Sequence, residues 1–154
     1  MTWARSRRCL SLASNLLHHR KRLREGTAMP TRPARLVLIV EDDPFIRDVL
    51  EEVLTDEGYL TISAPHGAAA LVCLEHARPC LILLDLMMPV MDGFGFRAIQ
   101  RKTPQFASIP VIVLSAFAAT VETAATLDAA AYLSKPVQLD RLVAVVDRYC
   151  AASD

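Results

Sequence analysis

Four apolar runs in this 154-residue chain end on, or just before, side chains able to handle a phosphoryl group. Leu36-Val37-Leu38-Ile39-Val40 leads into Glu41-Asp42-Asp43, and Cys80-Leu81-Ile82-Leu83-Leu84 leads into Asp85. Val111-Ile112-Val113-Leu114 ends on Ser115, and Ala131-Tyr132-Leu133-Ser134 leads to Lys135-Pro136. A carboxylate takes a phosphoryl group only where the charge around it is neutralised, because such transfers are mostly positioning and electrostatics. Clustered carboxylates repel, and a hard divalent cation relieves the repulsion. Mg²⁺ takes one or two carboxylates, keeps several waters and accepts phosphate oxygens. A serine hydroxyl can donate to a phosphoryl oxygen, and a lysine pairs with one as a point charge. The set therefore suits a phosphorylated aspartate and a Mg²⁺ ion.

These groups meet only if the runs lie side by side and point the same way, since ligands of an open parallel α/β sheet sit outside the carboxyl ends of its strands. Residues 36–40, 80–84 and 111–114 lack polar alternation, as strands buried on both faces do. Helical patterns separate them. Pro44 suits a first turn after Asp43, an N-cap type. Phe45, Ile46, Val49, Leu50, Val53 and Leu54 then recur at helical spacing, opposite Arg47, Asp48, Glu51 and Glu52, and Gly58 stops the helix. Residues 59–64 read as a second, weaker strand. Residues 67–77 read as a helix with Ala70, Leu71 and Leu74 facing inward, and 94–102 as a short third helix. Residues 118–127 form a fourth on alanine propensity. Residues 139–150 are the last, burying Leu142, Val143, Val145 and Val146. Five βα units predict an α/β fold, a doubly wound five-stranded parallel sheet with helices on both faces.

The formal net charge of zero hides an asymmetry. Residues 1–35 carry nine Arg/Lys against Glu25 alone, and the rest of the chain is net acidic. Residues 1–34 are read as a basic, disordered amino-terminal arm without a function, 35–150 as the one folded domain, and 151–154 as a tail. Met29, just ahead of Pro30-Thr31-Arg32-Pro33, offers a second start of translation. Cys9, Cys73, Cys80 and Cys150 show no metal-ligand or redox spacing; Cys73 and Cys80 read as small buried hydrophobes, which implies a reduced, cytoplasmic protein. No apolar stretch approaches the ~20 residues needed to cross a bilayer.

Taken singly, each chemical residue has a plainer explanation. Asp42 and Asp43 before Pro44 could be helix caps, Asp85 with Pro89, Asp92 and Gly93 a polar turn, and Ser115 an ordinary strand-end hydroxyl. Four suitable strand ends in one fold are a stronger signal than any of them alone.

In these stretches the chain resembles the receiver domain of two-component response regulators. The resemblance covers about residues 35–150. It rests on Leu38-Ile39-Val40-Glu41-Asp42-Asp43-Pro44, on Leu83-Leu84-Asp85-Leu86-Met87-Met88-Pro89-Val90-Met91-Asp92-Gly93, on Val113-Leu114-Ser115-Ala116 and on Tyr132-Leu133-Ser134-Lys135-Pro136. It implies a flavodoxin-like (βα)5 receiver fold in which Asp85 is phosphorylated from a phosphohistidine. Asp42 would bind Mg²⁺ directly, Glu41 through water, and Met87 through its backbone carbonyl, with Asp85 completing the set. Ser115 would bind the phosphoryl group and shift toward it, Lys135 would contact a phosphoryl oxygen, and Tyr132 matches the aromatic switch position. Pro136 matches a position usually preceded by a cis peptide.

The resemblance also implies partners. A sensor histidine kinase or histidine phosphotransfer protein would meet the first helix and adjacent loops. A downstream protein would meet the face of the fourth helix, fifth strand and fifth helix, by a monomer or a phosphorylation-linked dimer. The protein would be no enzyme beyond its own phosphorylation and dephosphorylation. With only residues 151–154 after the domain, a stand-alone receiver is expected, without sequence-specific DNA binding. Three departures from the family pattern stand out. Asp128 replaces a glycine that often ends the fourth helix, Ala69 a common glutamate, and Met87 and Phe117 are bulky where water would approach the acyl phosphate. The last predicts a long-lived phosphoaspartate. Two alternatives stay open: a phosphorylation-independent interaction module of the same fold, and a haloacid-dehalogenase-type enzyme. The second is disfavoured because Met87 stands where that family has a second Asp.

Overall fold

Strands with no polar residue to turn toward water must lie between two layers of helix, and the central runs do. The computed structural model describes residues 35–116 and 121–151. The strands are β1 (Leu36–Val40), β2 (Leu60–Ala64), β3 (Leu81–Asp85), β4 (Val111–Ser115) and β5 (Ala131–Ser134). The helices are α1 (Pro44–Asp56), α2 (Gly67–His76), α3 (Gly93–Lys102), α4 (Val121–Leu127) and α5 (Leu139–Ala151). All strand pairs are parallel, in the order β2-β1-β3-β4-β5. Every residue of β3 and β4 is buried, whereas edge strand β2 is mostly half-buried, which is why its sequence pattern is weaker.

The side chains of a strand alternate between faces. Val37, Ile39, Leu81, Leu83, Ile112 and Leu114 share a core with Leu50 and Leu54 of α1 and Leu142 and Val146 of α5. Their strand neighbours Leu38, Ile82, Leu84 and Val113 are fully buried as well. The sheet is thus covered twice, and its chain reverses direction once, between β1 and β3. Gly58 ends the turn after α1 with φ 90°, a conformation that costs glycine little. Asp128 adopts φ 46° where the sequence lacks a glycine, and its carbonyl accepts from Arg97 Nη2 at 2.6 Å. The Lys135-Pro136 peptide is cis.

Two expectations need correction. Phe45 is 75% exposed and Arg47 only 4%, the reverse of the face assigned from periodicity. The first turn of α1 stands at the carboxyl edge of the sheet, so Phe45 has no strand beneath it. Arg47 instead falls in the i, i+3, i+7 stripe of Leu50 and Leu54. The second correction concerns Cys80, read as a small buried hydrophobe of a reduced protein: it is half-buried and forms a disulfide with Cys150, Cα–Cα 5.3 Å, so the cysteines do not carry the inference of a fully reduced chain. The fold lays the end of α5 beside the start of β3, a contact spanning 70 residues of sequence. Cys73 is buried, as expected, and takes no part in a disulfide. The basic arm, Phe117, the start of the fourth predicted helix and the last three residues lie outside the described residues. Among the described residues no helix is long and apolar enough to cross a membrane.

Candidate functional site

Strand register assembles the site. β1 and β3 are neighbours with Val40 opposite Leu84, so one further step along each brings Glu41 beside Asp85. This is the point where strand order reverses, at which an open α/β sheet leaves a crevice. β3 and β4 pair with Asp85 opposite Leu114, so Ser115 follows one step beyond. β4 and β5 pair Ser115 with Ser134, and the Lys135 N–H donates to the Ser115 carbonyl at 2.8 Å, delivering Lys135 to the same edge.

Side chains converge accordingly. Ligand oxygens of Glu41, Asp42 and Asp85 lie within 4.8 Å of one another, Glu41 and Asp85 buried and Asp42 exposed. Lys135 Nζ sits 2.8 Å from Glu41 Oε2 and 3.3 Å from Asp85 Oδ1. Asp85 Oδ1 also accepts from the Met87 N–H at 3.4 Å. Ser115 is buried at the end of β4, and Tyr132 is half-buried on β5. Met87 is 64% exposed beside Asp85. Asp43 stands apart from the cluster: its Oδ1 caps α1, accepting from Phe45 N–H at 2.8 Å and Ile46 N–H at 3.2 Å. The acidic triplet therefore divides, with two carboxylates in the crevice and one on the helix.

Burial holds the Glu41 carboxyl above its usual range, the Lys135 hydrogen bond opposes this, and the Asp85 charge adds to it. Burial likewise raises Asp85, against the pull of Lys135 and the Met87 N–H, while a hydrogen bond with Asp42 raises it further. For Lys135, burial pulls the ammonium down, but the hydrogen bond and charge of Glu41, with Asp85 behind them, carry it above its usual value. A pair of desolvated carboxyls short of countercharge is a site that gains from a cation. Its donors are all carboxylate oxygens, the ligand type that hard cations prefer.

Two residues named in the sequence support this geometry in roles that their sequence positions do not reveal. Gly93 packs so closely under the end of β3 that a Cβ there would lie 2.5 Å from the Asp85 carbonyl oxygen and 2.8 Å from Leu86 Cα. Only its place in an Asp-Gly pair hinted at a turn, and nothing showed what it packs against. Arg47 lies beneath the β1–α1 connection, its Nη1 donating to the Glu41 carbonyl at 2.5 Å and the Asp42 carbonyl at 3.3 Å. The signal was a basic residue in register with Leu50 and Leu54.

Residues 37–147 match the model of the response regulator receiver domain. The chain belongs to this family, the receivers of two-component systems. It is 39% identical over 118 residues to an uncharacterized 14.6 kDa protein of Leptolyngbya boryana, covering 75% of this chain and 90% of that one. It is 36% identical over 112 residues to the DNA-binding response regulator MtrA of Mycolicibacterium smegmatis, with 71% of this chain covered. The match spans 48% of MtrA, so the chain accounts for about half the length of such relatives. Among solved structures, it resembles the receiver domain of a Pseudomonas aeruginosa sensor histidine kinase with a magnesium ion coordinated in its active site cleft. The TM-score is 0.71 and the identity 28%, over 77% of this chain and 99% of that one.

Proposed function

We propose that Asp85 accepts a phosphoryl group from a phosphohistidine, carried by a sensor histidine kinase or a histidine phosphotransfer protein, and that the phosphorylated form signals by protein binding. The observation that carries this reading is the arrangement about Asp85. A buried carboxylate at a strand end has an ammonium at 3.3 Å and two further carboxylates whose oxygens lie within 4.8 Å.

In the transfer, an Asp85 carboxylate oxygen attacks phosphorus, the P–N bond to the imidazole breaks, and its electron pair returns to the ring nitrogen. With a proton on the other ring nitrogen, an acyl phosphate and a neutral histidine result. Mg²⁺, held by Glu41, Asp42 and Asp85 with the Met87 carbonyl as a further ligand, would neutralise the phosphoryl oxygens. Lys135 leaves its shared position between Glu41 and Asp85 to pair with one phosphoryl oxygen, and the Ser115 hydroxyl donates to another. Movement of Ser115 is coupled to Tyr132, so the face of α4, β5 and α5 reports the charge at Asp85 as a population shift.

The test is incubation with acetyl phosphate and Mg²⁺, reading intact mass for the wild type and Asp85→Asn. One added phosphoryl group in the wild type, lost in the variant and in EDTA, is expected. No adduct on folded protein would leave an interaction module that works without phosphorylation.

A further inference from the structure

Arg47 is a buried cation whose side-chain hydrogen bonds run to main-chain oxygens rather than to a carboxylate. Burying a guanidinium is costly unless its donors are well used, and an apolar side chain in line with Leu50 and Leu54 would serve the core at less cost. The two oxygens it holds are informative. The Glu41 carbonyl belongs to the peptide before Asp42, and the Asp42 carbonyl to the peptide after it. Peptide units are planar, so fixing both planes fixes φ and ψ of the residue between them and hence the direction of its Cα–Cβ bond.

The clamp is closed from the other side. The N–H of the Asp42–Asp43 peptide donates to Glu41 Oε1 at 3.2 Å, and the Glu41 N–H donates to the Ala64 carbonyl at 3.1 Å. The Arg47 N–H itself donates to the Asp43 carbonyl at 3.0 Å, tying the turn to the first bonds of α1. The peptide after Asp42 is thus gripped at both ends, its oxygen by Arg47 and its nitrogen by Glu41. Asp42 is itself exposed and needs such outside support to hold its carboxylate against the cluster.

We propose that Arg47 is a positioning residue for the cation site, acting through the main chain on either side of Asp42. The proposal rests on the reading of Glu41, Asp42 and Asp85 as Mg²⁺ ligands. Mg²⁺ demands near-ideal octahedral geometry, whereas Ca²⁺ tolerates irregular and larger sites. A loosened Asp42 therefore costs Mg²⁺ affinity more than Ca²⁺ affinity, which a merely structural role of Arg47 would not do.

The experiment is calorimetric titration of the full chain with MgCl₂ and separately with CaCl₂, for wild type, Arg47→Met and Arg47→Lys, with urea melts in EDTA alongside. Arg47→Met is expected to raise the Mg²⁺ dissociation constant about tenfold and the Ca²⁺ constant by less than about threefold. Arg47→Lys retains the charge but not the rigid fork of donors, so an intermediate loss with the same selectivity shift is expected. Unchanged affinities in a folded variant, or equal losses for both metals, would overturn the role of Arg47. If Arg47→Met does not fold, Arg47→Lys decides on the same criterion. A wild type that binds neither metal would instead remove the cation site on which the proposal stands.

Discussion

Lys135→Met keeps most of the apolar length of the side chain and deletes the ammonium that Glu41 and Asp85 share at 2.8 and 3.3 Å. The side chains of Glu41 and Asp85 are 1% and 6% exposed and that of Lys135 18%, so water screens the group weakly. At an effective dielectric of about 20, each contact carries about 5 to 6 kcal/mol of raw attraction, most of which desolvation cancels. Deleting one partner of a buried pair costs about 3–5 kcal/mol. The low end, about 3 kcal/mol, is expected because Glu41 and Asp85, already raised by burial, can take up a proton once the ammonium is gone. Raised carboxyls favour the folded state while protonated, and that contribution is lost as pH rises through their folded range. The variant should therefore be closer to wild type at about pH 5 than at about pH 8. Mg²⁺ replaces the missing charge, so saturating Mg²⁺ should narrow the gap by about 1.4 kcal/mol, equivalent to about tenfold tighter binding by the variant. Urea melts of both proteins in EDTA and in Mg²⁺, at each pH, measure all of this. An equal loss with and without Mg²⁺ would refute the idea that lysine and cation compete for the same two carboxylates.

Other substitutions separate the parts of the site. Gly93→Ala sets a Cβ 2.5 Å from the Asp85 carbonyl oxygen, where backbone must yield, so a loss of about 1–3 kcal/mol and slower phosphoryl uptake are expected; a wild-type melt would contradict the packing argument. Asp43→Ala removes the cap on Phe45 and Ile46 and should cost about 1 kcal/mol while leaving Mg²⁺ affinity intact. Weaker Mg²⁺ binding in that variant would bring Asp43 into the metal site. Because burial raises Glu41 above its ordinary 4.5 and Asp85 above 3.8, protons should compete with Mg²⁺ at pH values where free carboxylates are fully ionised. Calorimetry should show affinity falling as pH drops, beginning above the range in which ordinary carboxyls titrate; a flat profile would speak against the raised carboxyls.

Much of the fold was legible because buried parallel strands announce themselves. Val111–Ser115 has no polar residue until its last, and β3 none until Asp85. The site was legible because each chemical residue ends a strand, and strand ends of a parallel sheet share an edge. What escaped were packing relations that one-dimensional patterns do not encode. Phe45 matched the helical period but lies in a turn with no sheet beneath it, and Arg47 matched the polar face but serves main-chain carbonyls. The Cys80–Cys150 bridge and the hydrogen bond from the Tyr59 hydroxyl to Asp147 join segments 70 and 88 residues apart, contacts only the assembled layers create. Gly93 looked like any turn glycine, since closeness to Asp85 leaves no mark on its neighbours in sequence.

The most direct test of the account locates the phosphoryl group. After incubation with acetyl phosphate and Mg²⁺, borohydride reduces an aspartyl phosphate to homoserine, which tandem mass spectrometry places in the sequence. The account predicts conversion at Asp85 alone, dependent on Mg²⁺. Conversion at Asp42 or Asp43 instead, or a borohydride-stable phosphoryl group on Ser115, would contradict it.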